Sequence, residues 1–141
     1  VTGENDCGIS IARTLDITVN ALPDLTLTVN TLYDTICTGD NTEIIIDFSA
    51  GTAPFEIVVS DGVNPNDTIS GINFDPYTYT PPIAPLWVDD GSSPNTDYYY
   101  SVLRIIDNNG CSNTSVIGNE KVSVFKIPET GPQYHISNEW P

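Results

Sequence analysis

The chain has no methionine, one histidine and only four lysines and arginines, against 19 aspartates and glutamates in 141 residues. A formal net charge of -15 repels phosphate backbones and anionic lipid, which excludes nucleic-acid binding and electrostatic attachment to membranes. No stretch approaches the ~20 apolar residues of a membrane-spanning helix, so membrane insertion is not expected. The start carries neither an initiator methionine nor a signal-peptide pattern, so the chain reads as a mature or excised segment. The shortage of histidine also removes most catalytic chemistry. His135 stands alone, no serine or cysteine nucleophile has a plausible base nearby, and no histidine cluster could hold a catalytic metal. Paired carboxylates in so acidic a chain are solvated charge by default, and the expectation is a protein that is not an enzyme and needs no cofactor.

Thr, Asn, Asp, Ser and Pro are abundant instead, a balance that helix-rich cytosolic proteins seldom show and that points to an extracellular or cell-surface location. Disorder is the competing reading of an acidic, proline-rich chain, but clustered Val, Ile, Tyr and Phe supply enough apolar surface for a core. The length holds one domain of ordinary size and a remainder too short for a second core.

Helix-period runs longer than two turns are missing. Short β-branched and aromatic runs separated by Gly, Pro, Asn and Asp clusters predict seven strands: Leu25 to Val29, Glu43 to Ser49, Phe55 to Ser60, Thr68 to Phe74, Tyr77 to Thr80, Thr96 to Asp107 and Glu120 to Ile127. Alternation places Ile44, Ile46 and Phe48 on one face of the second and Phe55, Ile57 and Val59 on one face of the third, and these six are the first core candidates. The sixth strand is apolar on both sides. Tyr99, Leu103 and Ile105 share one face, while Tyr98, Tyr100, Val102 and Ile106 surround Arg104 on the other. The Tyr98, Tyr100 and Val102 face is therefore a candidate contact surface.

The chain also matches itself. Cys7 to Pro23 (CGISIARTLDITVNALP) aligns with Cys111 to Pro128 (CSNTSVIGNEKVSVFKIP) across one single-residue gap. Cys7 meets Cys111, Ile17 meets Val122, Val19 meets Val124, Leu22 meets Ile127, and Pro23 meets Pro128 at an offset of 105 residues. That period is one sandwich domain, so the chain is framed out of phase with its units: 1–22 is the last strand of a preceding repeat, 23–127 a complete unit, and 128–141 the first strand of the following one. Two unrelated strands ending in proline are the chance alternative. Pro23 and Pro128 mark the junctions, where a fixed φ and a missing donor end a strand and stiffen the passage to the next unit.

With these features the sequence resembles the Ig-like and PKD-like repeats of large secreted surface proteins of the Bacteroidota, including gliding-motility adhesins. The resembling residues are Ile36-Cys37-Thr38-Gly39-Asp40, Gly51-Thr52-Ala53-Pro54-Phe55, Asp61-Gly62, Asp107-Asn108-Asn109-Gly110-Cys111, and the Val122-Ser123-Val124 strand closing on Pro128. The resemblance covers residues 25 to 128. The chain departs from the commonest pattern in the extra residues between Cys111 and Val122 and in a middle section with Pro65, Pro76, Pro81, Pro82, Pro85 and Pro94. The resemblance implies an all-β, immunoglobulin-like Greek-key sandwich of about seven strands in tandem array. It also implies export by the type IX route and a role in adhesion, motility or filament building, with neighbouring repeats or further copies of itself as partners. In the filament variant, the flanking strands lie along the open sheet edges of neighbouring sandwiches, covalently continuous or donated between chains. Thr35 and Thr68, each in Asp-Thr-Ile, resemble the Asp-(Ser/Thr)-apolar signal for O-glycosylation in that phylum. Asn66 and Asn113 fit the N-glycosylation sequon and rank lower.

Three cysteines are an odd count that the repeat explains, since Cys7 is the counterpart of Cys111 and its partner would lie in a neighbouring repeat. Cys37 with Cys111 is the natural pair within the unit, and closing that loop would stabilise the fold by roughly 4 kcal/mol on the chain-entropy model. Immunoglobulin topology places the two segments at opposite ends, however, and a disulfide needs Cα atoms about 4.4–6.8 Å apart. A bond between units or subunits, or free thiols, therefore stay open. The acidic loops carry weak candidates for a structural Ca²⁺ in Asp61, Asp67, Asp89, Asp90 and Asp97, with turn residues and solvated charge as the plainer reading. Asp107 to Gly110 is a tight hairpin. Trp87 with Tyr77, Tyr79, Tyr98, Tyr99 and Tyr100 could instead form an aromatic platform for surface glycans. The alternative function is thus a carbohydrate-binding module of a secreted polysaccharide-degrading enzyme, set against the same rings simply filling a core.

Overall fold

Alternating apolar residues need a second surface to bury them, and the computed structural model supplies one by facing two sheets. It describes residues 3–9, 13–89, 91, 93–115 and 117–128. Asp90, His135 and residues 129–141 of the expected following strand lie outside the described residues. In chain order the strands are β1 (Glu4–Asn5), β2 (Gly8–Ile9), β3 (Asp24–Val29), β4 (Thr35–Cys37), β5 (Ile44–Ala50), β6 (Phe55–Ser60), β7 (Asp67–Ile72), β8 (Tyr77–Tyr79), β9 (Asn95–Ile106), β10 (Ser112–Asn113) and β11 (Ile117–Phe125). No helix forms among the described residues. The larger sheet has the order β4-β11-β9-β6-β7 with β10 added on β9, the smaller one the order β3-β5-β8, and β1 pairs only with β2.

The chain is an all-β, sandwich-like fold with one core. Leu25, Leu27, Ile44, Ile46 and Tyr79 of the smaller sheet meet Phe55, Ile57, Val59, Tyr98, Tyr100, Val102, Ile105, Val122 and Val124 of the larger, all buried. Each of the seven expected strands forms within a few residues of its predicted limits. Of the six core candidates, Phe48 alone is only half-buried; it stacks on Phe55 with ring centroids 4.2 Å apart. β4 was not expected. Three residues are too few for alternation to register, and this strand exists because β11 accepts it in parallel register, Val124 opposite Ile36 and Phe125 opposite Cys37.

The expected contact surface is corrected. Tyr98, Tyr100 and Val102 are 3%, 1% and 0% exposed and point into the core, whereas Tyr99 faces solvent. The cause is a bulge in β9: Val58 pairs with Arg104 and Val59 with Val102, leaving Leu103 as an extra residue that reverses the alternation beyond it. Tyr98, Tyr100, Val102 and then Ile105 all face inward, a pattern that a strict period of two cannot produce.

Candidate functional site

The register of β9 defines two poles. Its first residue, Asn95, lies opposite Phe125, which in turn lies opposite Cys37; its last, Ile106, lies opposite Ser112, next to Cys111. Twelve residues of strand separate the two cysteines by roughly 36 Å, many times the reach of a disulfide. The expected bond between Cys37 and Cys111 within one unit is therefore corrected: both are free thiols, Cys37 exposed and Cys111 half-buried.

The pole bearing Cys111 gathers around Pro23, which is buried. Its carbonyl accepts the Asn113 side-chain amide at 3.2 Å, and it packs so closely on Gly51 that a Cβ there would meet Pro23 Cβ and Phe55 Cε1 at 2.9 Å. Beside it the Asp-Asn-Asn-Gly turn closes on Asp107, which is 5% exposed. The Asp107 Oδ1 atom accepts the N–H groups of Cys111 and Asn109, both at 2.9 Å, and Oδ2 accepts that of Thr52 at 3.2 Å. Burial by itself would raise the pKa of this carboxyl, but the backbone N–H groups of Cys111, Thr52 and Asn109 together hold it below the ordinary value. The sequence marked this stretch as a hairpin and did not identify Asp107 as its organiser; an Asp opening a turn rich in Asn and Gly is the local signal that pointed there.

The other pole gathers around Cys37. The Thr38 N–H donates to the Phe125 carbonyl at 2.8 Å, Gly39 N–H to the Pro85 carbonyl at 3.3 Å, and Trp87 N–H to Thr38 Oγ1 at 3.0 Å. Lys126 Nζ lies 5.4 Å from the Trp87 ring centre. The long connection before β9 is pinned here by the Tyr98 hydroxyl, which donates to the Leu86 carbonyl at 2.9 Å and accepts the Leu86 N–H at 3.1 Å. Along β4 an open groove of about 530 Å³ is lined by Leu32, Tyr33, Thr35, Ile36, Cys37 and Phe125, among others. Leu32 in this groove is 78% exposed.

Before Pro23 runs a stretch with no strand partner among the described residues. Leu15, Ile17 and Val19 alternate with Asp16, Thr18 and Asn20, yet all three apolar residues are exposed, Ile17 by 76% and Val19 by 87%. Their counterparts in the internal match, Val122 and Val124, are fully buried in β11. The two matched prolines show the reverse contrast. Pro23 is buried, while its counterpart Pro128 is exposed. The matched cysteines occupy similar settings: β1 and β2 pair as a hairpin around Asp6 and Cys7, and the Cys7 N–H bonds Asn5 Oδ1 at 2.9 Å as the Cys111 N–H bonds Asp107 Oδ1.

The remaining candidates are dispersed. Thr35 and Thr68 are exposed on β4 and β7, the two outer strands of the larger sheet. Asn66 is exposed, while the Asn113 amide is engaged with Pro23. Asp61 takes the N–H groups of Val63 and Asn64 and the Asn64 side-chain amide, and Asp89 takes the Gly91 N–H. Asp97 accepts the Ser123 hydroxyl and faces Lys121, which lowers its pKa. Burial raises the pKa of Tyr79, helped by Asp67 and Asp61. Asp61 and Asp67 line one small pocket beside Tyr79, but no group of three or more potential metal ligands occurs among the described residues. Nor do the aromatic residues form one platform. Tyr79, Tyr98 and Tyr100 are core, Tyr77 and Trp87 are half-buried, and Tyr99 alone of the six is exposed.

No protein-family model matches the chain, and no curated protein matches it.

Proposed function

We propose that this chain is a structural and adhesive repeat of a secreted bacterial surface protein or extracellular filament, non-catalytic, joining end to end through its flanking strands. The observation that carries the reading is the paired contrast across the 105-residue offset: Val122 and Val124 are buried where Ile17 and Val19 are exposed, and Pro23 is buried where Pro128 is exposed. An alternating segment with its apolar face in water is unfavourable by itself, since fully burying each Val or Ile is worth about 1.5–3 kcal/mol. It becomes favourable along an open sheet edge of a neighbouring sandwich. The exposure of Thr35 and Thr68 supports O-glycosylation at the sheet edges, and the acidic surface suits an extracellular setting.

Assembly of the full chain tests the proposal. Negative-stain microscopy and size-exclusion chromatography with light scattering should find concentration-dependent oligomers or fibres, lost on Val19→Asp. Monomers at every concentration, together with a parent gene that encodes no second unit of this kind, would overturn it.

A further inference from the structure

We infer that consecutive units are stapled head to tail by a disulfide from Cys37 of one unit to Cys111 of the next. The inference rests on the tandem reading above and adds to it a defined pair of covalently joined surfaces. Three observations carry it.

The two thiols lie at opposite poles, so neither can serve the other within a unit, yet each sits beside one end of the chain path. Cys37 lies opposite Phe125, three residues before Pro128, and the Thr38 N–H is bonded to the Phe125 carbonyl. Cys111 lies two residues before Asn113, whose side chain holds the carbonyl of Pro23. If Pro128 seats in the following unit as Pro23 seats here, the link from Phe125 spans at most about 10 Å. The pole bearing Cys37 then faces the pole bearing the next unit's Cys111.

The pole bearing Cys37 is shaped to receive something. Its groove beside β4 has Cys37 and Leu32 exposed in it, and Ile127 nearby in the chain is 55% exposed. The occupant we assign is the hairpin Asp107 to Cys111 of the following unit, a turn held rigid by the Asp107 hydrogen bonds and therefore able to present Cys111 without ordering cost.

The same hairpin cysteine recurs. Cys7 stands in the hairpin of β1 and β2 at the position matching Cys111, so the thiol belongs to the repeat rather than to one copy. The step forms one bond between Cys37 Sγ and Cys111 Sγ. Its two protons and two electrons pass to a low-molecular-weight disulfide, which is cleaved to two thiols.

The test uses two variants of the full chain, both carrying Cys7→Ser: one with Cys37→Ser, which retains Cys111, and one with Cys111→Ser, which retains Cys37. Unchanged circular dichroism and melting of each show that the fold is kept. Mixed in equal amounts in a glutathione redox buffer, they should give the Cys37–Cys111 heterodimer in about twentyfold excess over either homodimer, against about twofold for random pairing, a tenfold preference of ~1.4 kcal/mol; urea should return the mixture to statistical pairing. Statistical pairing of the folded proteins, or a predominance of homodimers, would sink the staple. Sedimentation under reducing conditions reads the flanking-strand association separately. Statistical pairing by a chain that still assembles when reduced overturns the staple alone, and by a chain that is also monomeric and whose parent gene encodes no second unit overturns the tandem reading with it.

Discussion

Asp107 accepts the backbone N–H of Thr52 at 3.2 Å, tying the hairpin after β9 to the loop between β5 and β6 across 55 residues of sequence. The Asn108 N–H returns to the Thr52 carbonyl at 2.9 Å, so the two loops are joined in both directions. Through the same hairpin, this contact holds the pole at which Pro23 enters the unit.

The depressed pKa of Asp107 makes the contact pH-dependent. A carboxyl whose folded pKa lies below its unfolded value of about 3.9 contributes stability that is fully present above that value and is lost as pH falls through the lower folded one. Asp107→Asn, which offers a single acceptor oxygen where three N–H groups converge, should be less stable than the parent at neutral pH. The gap in urea-denaturation midpoint should shrink below about pH 4; a gap that stays constant into acid would contradict this account.

Equivalent substitutions at the two ends of the internal match should differ in kind. Val124→Ala removes buried methyl groups and leaves a cavity, at a cost of about 2 kcal/mol. Val19→Ala touches nothing in the unit and should leave its unfolding free energy within about 0.5 kcal/mol of the parent. Chemical denaturation in dilute solution, where the chain is monomeric, measures both. Comparable losses would mean that residues 15–19 pack on the unit after all.

Gly51 should be the least replaceable turn residue. It has a φ of 101°, and an added Cβ would fall 2.9 Å from Pro23 and Phe55, so Gly51→Ala combines left-handed strain with an overlap at the entry of the unit and should cost about 3 kcal/mol. Gly110, with a φ of 76° and nothing within 4 Å of an added Cβ, isolates the strain alone, and Gly110→Ala should cost about 1 kcal/mol. Thermal melting of the two variants gives the comparison.

Oxidised monomer should contain no internal bond between Cys37 and Cys111. Mass spectrometry of a non-reduced tryptic digest of monomer isolated after oxidation would detect such a bond, and finding it would overturn the opposite-pole arrangement.

Much of this was legible in the sequence because it is local. A strand is announced by a period of two and its ends by turn chemistry, so Ile44 with Ile46 and Ile57 with Val59 could be placed in the core without knowing what covers them. The internal match was legible for the same reason, since Ile17 and Val19 lie a fixed 105 residues before Val122 and Val124. Three things were decided only by tertiary structure. The inward face of Tyr98, Tyr100 and Val102 depends on the bulge at Leu103, which arises where β9 pairs with β6. The strand at Ile36 depends on β11, some 88 residues later, offering it an edge. The separation of Cys37 from Cys111 depends on both registers together. Local pattern fixes which residues can form strands; pairing across long stretches of chain fixes where they lie, because a hydrogen-bonded register belongs to two segments and neither encodes it alone.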